Sequence, residues 1–416
     1  MVAKPIIVIG AGICGVSTAI WLTRMGHEVC LIDKGAPGMG ASFGNAGLLA
    51  SWAVAPVTSP SLWRDAPRML LDPSSPLFLQ WGYFPRLLPW LMRFMSHATD
   101  RQTRRIVSHL APLLTDSLDQ HKSLAREVGL TGWIADSKIS FAYKTRADFD
   151  KDSYSWRMKT SAGFVPEVIS GPAVREAEPI LDAQTDCLAV LSGQGHITNP
   201  GGYVAALAKA FTRAGGKLIQ ANVQKMVREA GRIVRVDTDQ GSFECSAAVI
   251  TAGIWSKELM RDLGMSVPLE TERGYHVLFE NPSILPRNPM MIMAGKFGVT
   301  PMDMGLRCAG TVELGDHKSG PNKAPIALLR RHVAQIFPNL TYSSTREWMG
   351  FRPSFPDSLP MIGALGASGI YTAFGHQHVG LTAGPKTGRL IAQMISGQTP
   401  NQDMSAYDPG RYLKLP

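Results

Sequence analysis

Hydrophobic positions change their period twice between residues 6 and 33. Ile6-Ile7-Val8-Ile9 is an unbroken apolar run, as in a strand buried on both faces. It leads directly into Gly10-Ala11-Gly12-Ile13-Cys14-Gly15. A helical pattern follows, then a second apolar run, Val29-Cys30-Leu31-Ile32, closed by Asp33. The order is strand, glycine turn, helix, strand, acid. Gly10 permits the tight turn, Gly12 lets the backbone approach a pyrophosphate, and Gly15 lets the helix pack against the strand. The positive end of that helix, at Ile13 and Cys14, then faces the phosphates. Asp33 is placed to accept hydrogen bonds from a ribose hydroxyl. The plainer alternative is an ordinary buried strand–helix–strand unit, but an acid ending the second strand favours dinucleotide binding.

The pattern further along is discontinuous. After Asp33 and Lys34 comes a loop of small residues, including Gly40, Ala41, Ser42, Asn45, Ala46 and Gly47, which leads into apolar Leu48. Such a loop can lie flat against a ligand. Prolines break up residues 53–103, and residues 104–128 read as one amphipathic helix. Helical periodicity returns over 200–214, a strand over 217–223 reaches Val223, and short antiparallel strands are expected over 227–237 and 241–246. Residues 247–251 form a buried strand, ending at Ala252, Gly253 and Trp255. Strand-like alternation dominates 266–345, apart from a helix over 327–337. The last block pairs a strand at 369–373 with a closing helix over 383–396.

These shifts predict an α/β fold, a Rossmann-like dinucleotide domain with a substrate domain (α+β) on a large antiparallel sheet. The dinucleotide domain is expected in three parts, 1–52, 194–265 and 346–416, with the substrate domain inserted as 53–193 and 266–345.

Composition narrows the field. The 416 residues are 45% hydrophobic and 18% charged, which excludes a disordered chain. The five cysteines are scattered without a CxxC pair, which argues against a disulfide framework or a zinc site and fits a reducing compartment, with no signal peptide expected. Net charge is +9, but the basic residues are spread, so no nucleic-acid partner is expected. Anionic substrates or an anionic membrane surface are the simpler readings. The segment 77–95, LFLQWGYFPRLLPWLMRFM, is too interrupted by proline and arginine to span a bilayer. Either it dips into a membrane interface with Trp81, Tyr83, Trp90 and Phe94 as anchors, or those aromatics are core. The expected location is cytoplasmic, with peripheral contact on the inner face of the cell membrane as the variant of that reading.

Several motifs together resemble the flavin-dependent D-amino-acid oxidase superfamily, in particular the bacterial D-amino-acid dehydrogenases. They are the N-terminal fingerprint, GASFGNAGLL (40–49), VITAGIWS (249–256), WMGFRPSFPDSLPMIG (348–363) and FGHQHVGLTAGPKTGRL (374–390). The resemblance implies FAD as the bound dinucleotide. Some relatives attach it through a cysteine beside the late arginine motif. None stands there in this chain, so non-covalent FAD is expected.

The resemblance also assigns roles. Arg352 is expected to hold a substrate carboxylate by two parallel charge-assisted bonds. The competing role is an ion pair with an acid such as Asp357. Tyr275 is expected to line the substrate site, and Arg307 is a weaker carboxylate candidate. Gly375, His376, Val379, Gly380, Leu381 and Thr382 are expected beneath the flavin pyrimidine ring, where helix N–H groups would stabilise developing charge. His376 and His378 either face the substrate or pack, and no metal is expected. The implied reaction is hydride transfer from Cα of a D-amino acid to flavin N5, with a quinone or another electron acceptor. The forms of the two late motifs suggest cyclic substrates such as D-proline or cis-4-hydroxy-D-proline. The alternatives are an opine or sarcosine-type secondary-amine oxidase, a non-catalytic FAD-binding subunit of an electron-transfer complex, and an NAD-dependent dehydrogenase.

Overall fold

The computed structural model describes residues 4–72, 74–182 and 184–413. Ile6–Ile9 forms the expected strand with all four residues buried. It pairs in parallel with Val29–Asp33 on one side and Ala247–Ile250 on the other. Lys217–Gln220 and Ile370–Phe374 extend this sheet in parallel, and Met361–Ala364 closes one edge antiparallel. Helices Ile13–Arg24, Pro200–Arg213 and Gly380–Ile395 cover one face with Ile6, Val8, Val29 and Leu31. Ile7, Ile9, Cys30 and Ile32 point the other way, under the three-stranded sheet of Val223–Glu229, Arg232–Thr238 and Gly241–Glu244. Burial on both faces explains why these strands read as continuous apolar runs.

The second sheet has ten strands. Near one edge, Glu270–Glu280 is flanked antiparallel by the edge strand Ser344–Ser354 and by Gly305–Leu314. Two of its pairings are parallel rather than antiparallel, Met290–Ile292 with Ile134–Tyr143 and Gly305–Leu314 with Leu77–Leu79. Side chains alternate between faces. Tyr275, Val277 and Phe279 join a core with the helix Lys323–Ile336. Gly274, His276, Trp348, Gly350 and Arg352 belong to the opposite face.

Three expectations change. Ser344–Ser354 is one strand across the expected boundary at 345/346, so Arg352 stands on the large sheet. Leu48–Leu49, from the expected 1–52 part, also pairs into that sheet. The helical stretch 104–128 is two helices, Asp100–Leu114 and Ser117–Arg126. Between them, Asp116 accepts hydrogen bonds from Lys386 and Gln120.

The segment 77–95 forms a short strand, a single turn and the helix Phe84–Ser96. Trp90 and Phe94 are buried, and Trp90 Nε1 donates to the Ser354 carbonyl at 3.2 Å. Tyr83 donates to Glu270. Of the four expected anchors only Trp81 is exposed, at 64%, and Leu88 and Met92 of the following helix are exposed as well.

The closing helix begins at Gly380 and lies against the first helix through Gly384 and Gly388. A Cβ at Gly388 would stand 2.6 Å from backbone atoms of Ser17 and Thr18, and one at Gly384 would stand 2.7 Å from the Ile13 side chain. Gly388→Val should therefore destabilise the fold by about 2–3 kcal/mol, because backbone atoms cannot give way. Urea unfolding at an unchanged midpoint would refute this close contact.

Candidate active site

A cavity of about 760 Å3 lies between the two sheets and runs from the glycine turn to Arg352. At its first end Gly10 has φ +111°, and an added Cβ would collide with the Thr251 carbonyl at 2.7 Å. Gly15 is closed off by the Gly10 carbonyl and the Thr251 hydroxyl. Gly12 differs, since its added Cβ would meet only Ser42 Oγ, at 3.6 Å. Thus Gly10 and Gly15 serve the packing, while Gly12 leaves room on the cavity side.

Asp33 Oδ2 accepts from the Ala11 N–H at 2.6 Å, and Oδ1 accepts from Gly35 at 2.8 Å. Two lone-pair sites of the four on the carboxylate remain. Ser42 Oγ accepts from the Ile13 N–H at the start of the first helix. Further out, Lys34 Nζ sits 3.7 Å above the Trp255 ring, near Val223 and Glu258. A pyrophosphate, a ribose and a planar base all find matching groups along this half of the cavity.

Most of the expected cofactor residues line the cavity: Gly10, Gly12, Ile13, Cys14, Asp33 and Lys34 at the first end, then Gly40, Ala41, Ser42, Asn45, Ala46 and Leu48. Val223, Ala252, Gly253, Trp255, Gly375, His376, Gly380 and Leu381 complete that set. Gly15, Gly47, Val379 and Thr382 lie behind the wall. Gly47 packs on the Ile197 carbonyl, and Thr382 Oγ1 accepts from Ala50.

The other half of the cavity is floored by the large sheet, where Gly274, Gly298, Gly310 and Gly350 keep the surface low. Arg352 lies across Gly274, where a Cβ would come within 2.7 Å of its guanidinium. Among the described residues Arg352 forms no ion pair. Asp357 is engaged elsewhere, 2.8 Å from Arg411. Burial pushes the Arg352 pKa down, and Glu272, opposite it in register, pulls it back up. A cation facing a cavity, with Glu272 acting on it but no carboxylate within 4 Å, has donors left for an anionic ligand.

Tyr275 is among the residues that line the cavity, but its side chain joins the core on the other face of the sheet. Its hydroxyl donates to Glu313 at 2.6 Å and accepts from the Asn322 N–H. Arg273, on the same face, forms a buried ion pair with Glu313. Arg307 is likewise committed, donating to the Phe43 and Asn45 carbonyls that shape the small-residue loop.

His376 packs rather than facing a ligand. Its Nε2 lies 3.0 Å from Thr387 Oγ1 and its Nδ1 3.8 Å from Cys14 Sγ. Burial pushes its pKa down to about 4, so it is neutral at pH 7. His378 is reachable from the cavity although protein surrounds it, and that enclosure, then the Arg352 charge, pushes its pKa down to about 4. Between them Gln377 takes φ +49°, an uncommon backbone for a non-glycine residue, and its N–H donates to the Pro353 carbonyl.

Trp348, which opens the motif 348–363, and His276 have no role assigned from the sequence. The Trp348 indole fits between Gly44 and Gly350, where either Cβ would come within 2.0 Å of the ring, and it stacks on His276 at 5.3 Å. Cys308 is fully buried in the core of the opposite face, so no thiol of this strand reaches the cavity.

Two sheets enclosing such a cavity, with a dinucleotide turn at one end and a guanidinium at the other, define a dinucleotide-binding protein with a site for an anion. The chain belongs to the DAO family of FAD dependent oxidoreductases, whose match spans residues 5–394. It is 39% identical to a D-amino-acid oxidase of Bradyrhizobium diazoefficiens, over 99% of both chains. It is 28% identical to a D-amino acid dehydrogenase of Methylobacterium sp., covering 98% of this chain and 99% of the relative. The glycine oxidase of Geobacillus kaustophilus has the same fold, with a TM-score of 0.78 at 21% identity over 99% of both chains.

Gly12→Val should fold with a near-normal unfolding midpoint yet lose FAD, because its branched side chain enters the cavity. Flavin content after desalting should fall at least tenfold, whereas retention of FAD would show that the turn does not contact the cofactor.

Proposed function

We propose that the chain oxidises the Cα–N bond of D-amino acids. The observation that carries this reading is Arg352, a guanidinium that faces the cavity with no carboxylate within 4 Å among the described residues. It would hold the substrate carboxylate through two parallel N–H···O bonds and so fix the direction of the Cα–H. FAD, when bound, supplies the acceptor for the two electrons and the hydrogen that leave Cα. The helix start at Gly380 and Leu381, on the cavity wall, offers its positive end to the charge that develops there. His378, neutral at pH 7, presents one N–H and one lone pair near Arg352, where the substrate amine must lose its proton. The imine product then takes up water to give a 2-oxo acid and ammonia. The relatives' names support the D-configuration.

A non-catalytic subunit would have no use for an unpaired guanidinium at this position. The cyclic specificity expected from the two late motifs rests on those motifs alone, as does the choice between a quinone and another electron acceptor. The test is anaerobic reduction of the flavin by a panel of D- and L-amino acids, with D-proline, cis-4-hydroxy-D-proline, sarcosine and opines included. Reduction by D-amino acids should slow by roughly a hundredfold or more in kcat/KM in Arg352→Ala, the loss of about 3 kcal/mol from two charge-assisted bonds. Reduction by sarcosine or opines alone would replace this reading with secondary-amine oxidation, and reduction by none would leave the non-catalytic subunit.

Among the described residues no helix is long and apolar enough to cross a membrane. Trp81, Leu88 and Met92, beside exposed Arg86 and Arg93, form the surface proposed for peripheral contact with an anionic bilayer. Co-sedimentation with vesicles containing phosphatidylserine should drop severalfold in the double variant Trp81→Glu, Met92→Glu. Equal sedimentation of both proteins would exclude this surface.

A further inference from the structure

A second compartment, of about 210 Å3, opens beside the main cavity. The two share Trp52, Ala53 and His378, so the smaller one begins where His378 feels the Arg352 charge. Its far wall is the helix Ser153–Ser161, through Tyr154, Ser155, Met158 and Lys159.

Most polar groups on this wall are already engaged. The Tyr154 hydroxyl donates to Asp100, and Thr103 donates to the Thr58 carbonyl. Lys159 is the exception. It is only 5% exposed, and its ammonium donates one hydrogen bond, to Ser155 Oγ. It lies 4.7 Å from the Trp156 ring centre and 5.4 Å from that of Phe141. Among the described residues no carboxylate pairs with it. Asp152, which acts on it from a distance, accepts from the Tyr143 hydroxyl instead. Burial pushes the Lys159 pKa down to about 8, which still leaves the ammonium mostly protonated at pH 7.

An ammonium has three donors and no acceptor. Held in a closed space without a counter-ion, it loses hydration that only aromatic faces and one hydroxyl replace. An anion brought by a ligand would restore the balance. The chain thus offers two unpaired cations in connected spaces, a guanidinium in the main cavity and an ammonium in the side compartment.

We propose that this compartment receives the substrate side chain and that Lys159 selects D-amino acids with an acidic side chain, the D-aspartate and D-glutamate class. This rests on Arg352 holding the α-carboxylate, and it adds the identity of the side chain. Lys159 binds the second carboxylate, and His378 and Trp52 border the passage between the two anionic ends. A neutral amide of the same size would leave the ammonium unpaired and so bind less well.

The test compares D-glutamate with D-glutamine, which match in size and differ in charge. The holoenzyme should reduce its flavin with a kcat/KM at least tenfold higher for D-glutamate, and Lys159→Met should lower that ratio at least tenfold, mainly through KM. A ratio near one in the unaltered protein, or an unchanged ratio in the variant, overturns the proposal. Calorimetric binding of glutarate and butyrate to the holoenzyme gives a readout that needs no turnover. Glutarate should bind at least tenfold more tightly, and Lys159→Met should remove the difference. If no D-amino acid reduces the flavin but this preference persists, the D-amino-acid reading fails and the anion compartment stands. Equal binding of the two acids overturns the compartment. The variant removes a buried charge, so its unfolding midpoint should be no lower than that of the unaltered protein.

Discussion

A guanidinium buried in a protein without an ion pair raises the free energy of the folded state, and much of the architecture follows from holding Arg352 in that condition. A Cβ on Gly274 would remove its place, and Trp348, held between Gly44 and Gly350, walls the same face of the sheet. Asp357, the acid that follows Arg352 in the same motif, goes to Arg411, and Glu313, on the other face of the sheet, goes to Arg273 and Tyr275. Glu272 acts on the guanidinium without forming an ion pair within 4 Å. The charge is thereby kept in place and left free for a ligand.

Three buried histidines show the complementary strategy. Burial pushes His121 and His376 down to about 4 and His276 down to about 3. Neutral rings can donate at one nitrogen and accept at the other. His121 bridges the Tyr203 hydroxyl and the Leu381 carbonyl, and so fixes the first turn of the closing helix. His276 holds the Gly44 carbonyl and supports Trp348. These three supporting rings are neutral, although Arg307, which holds the small-residue loop, keeps its charge.

The half of the site built on residues 6–33 could be read from the sequence, because its signals are local: two apolar runs, a turn and an acid within one unit. The helix start at 200 was nearly as legible, whereas the closing helix, expected from 383, begins three residues earlier at Gly380, inside the glycine-rich loop. The other half depends on strand register. Tyr275 and Arg352 are neighbours only through pairing of Glu270–Glu280 with Ser344–Ser354, and that pairing puts them on opposite faces. Nothing along either strand alone states the register. Lys159 and Trp348 are hidden for the same reason, as each gains meaning from partners far away in sequence. Trp90 and Trp81 looked alike within one apolar segment, and only the turn of a helix separates the buried ring from the exposed one.

The pairing of the first helix with the closing helix has a consequence for synthesis. Cys14 and His376 touch across 362 positions of chain. Contacts of such separation form late, because the loop between them must close first. The glycine turn therefore leaves the ribosome long before Gly384 and Gly388 exist to cover its helix. Until then the apolar face of Ile13–Arg24 has to be kept from other chains, and a complete pocket for the dinucleotide has not been formed. Assembly of the holoprotein is thus post-translational by geometry, and the supply of free cofactor acts on finished chains rather than on growing ones.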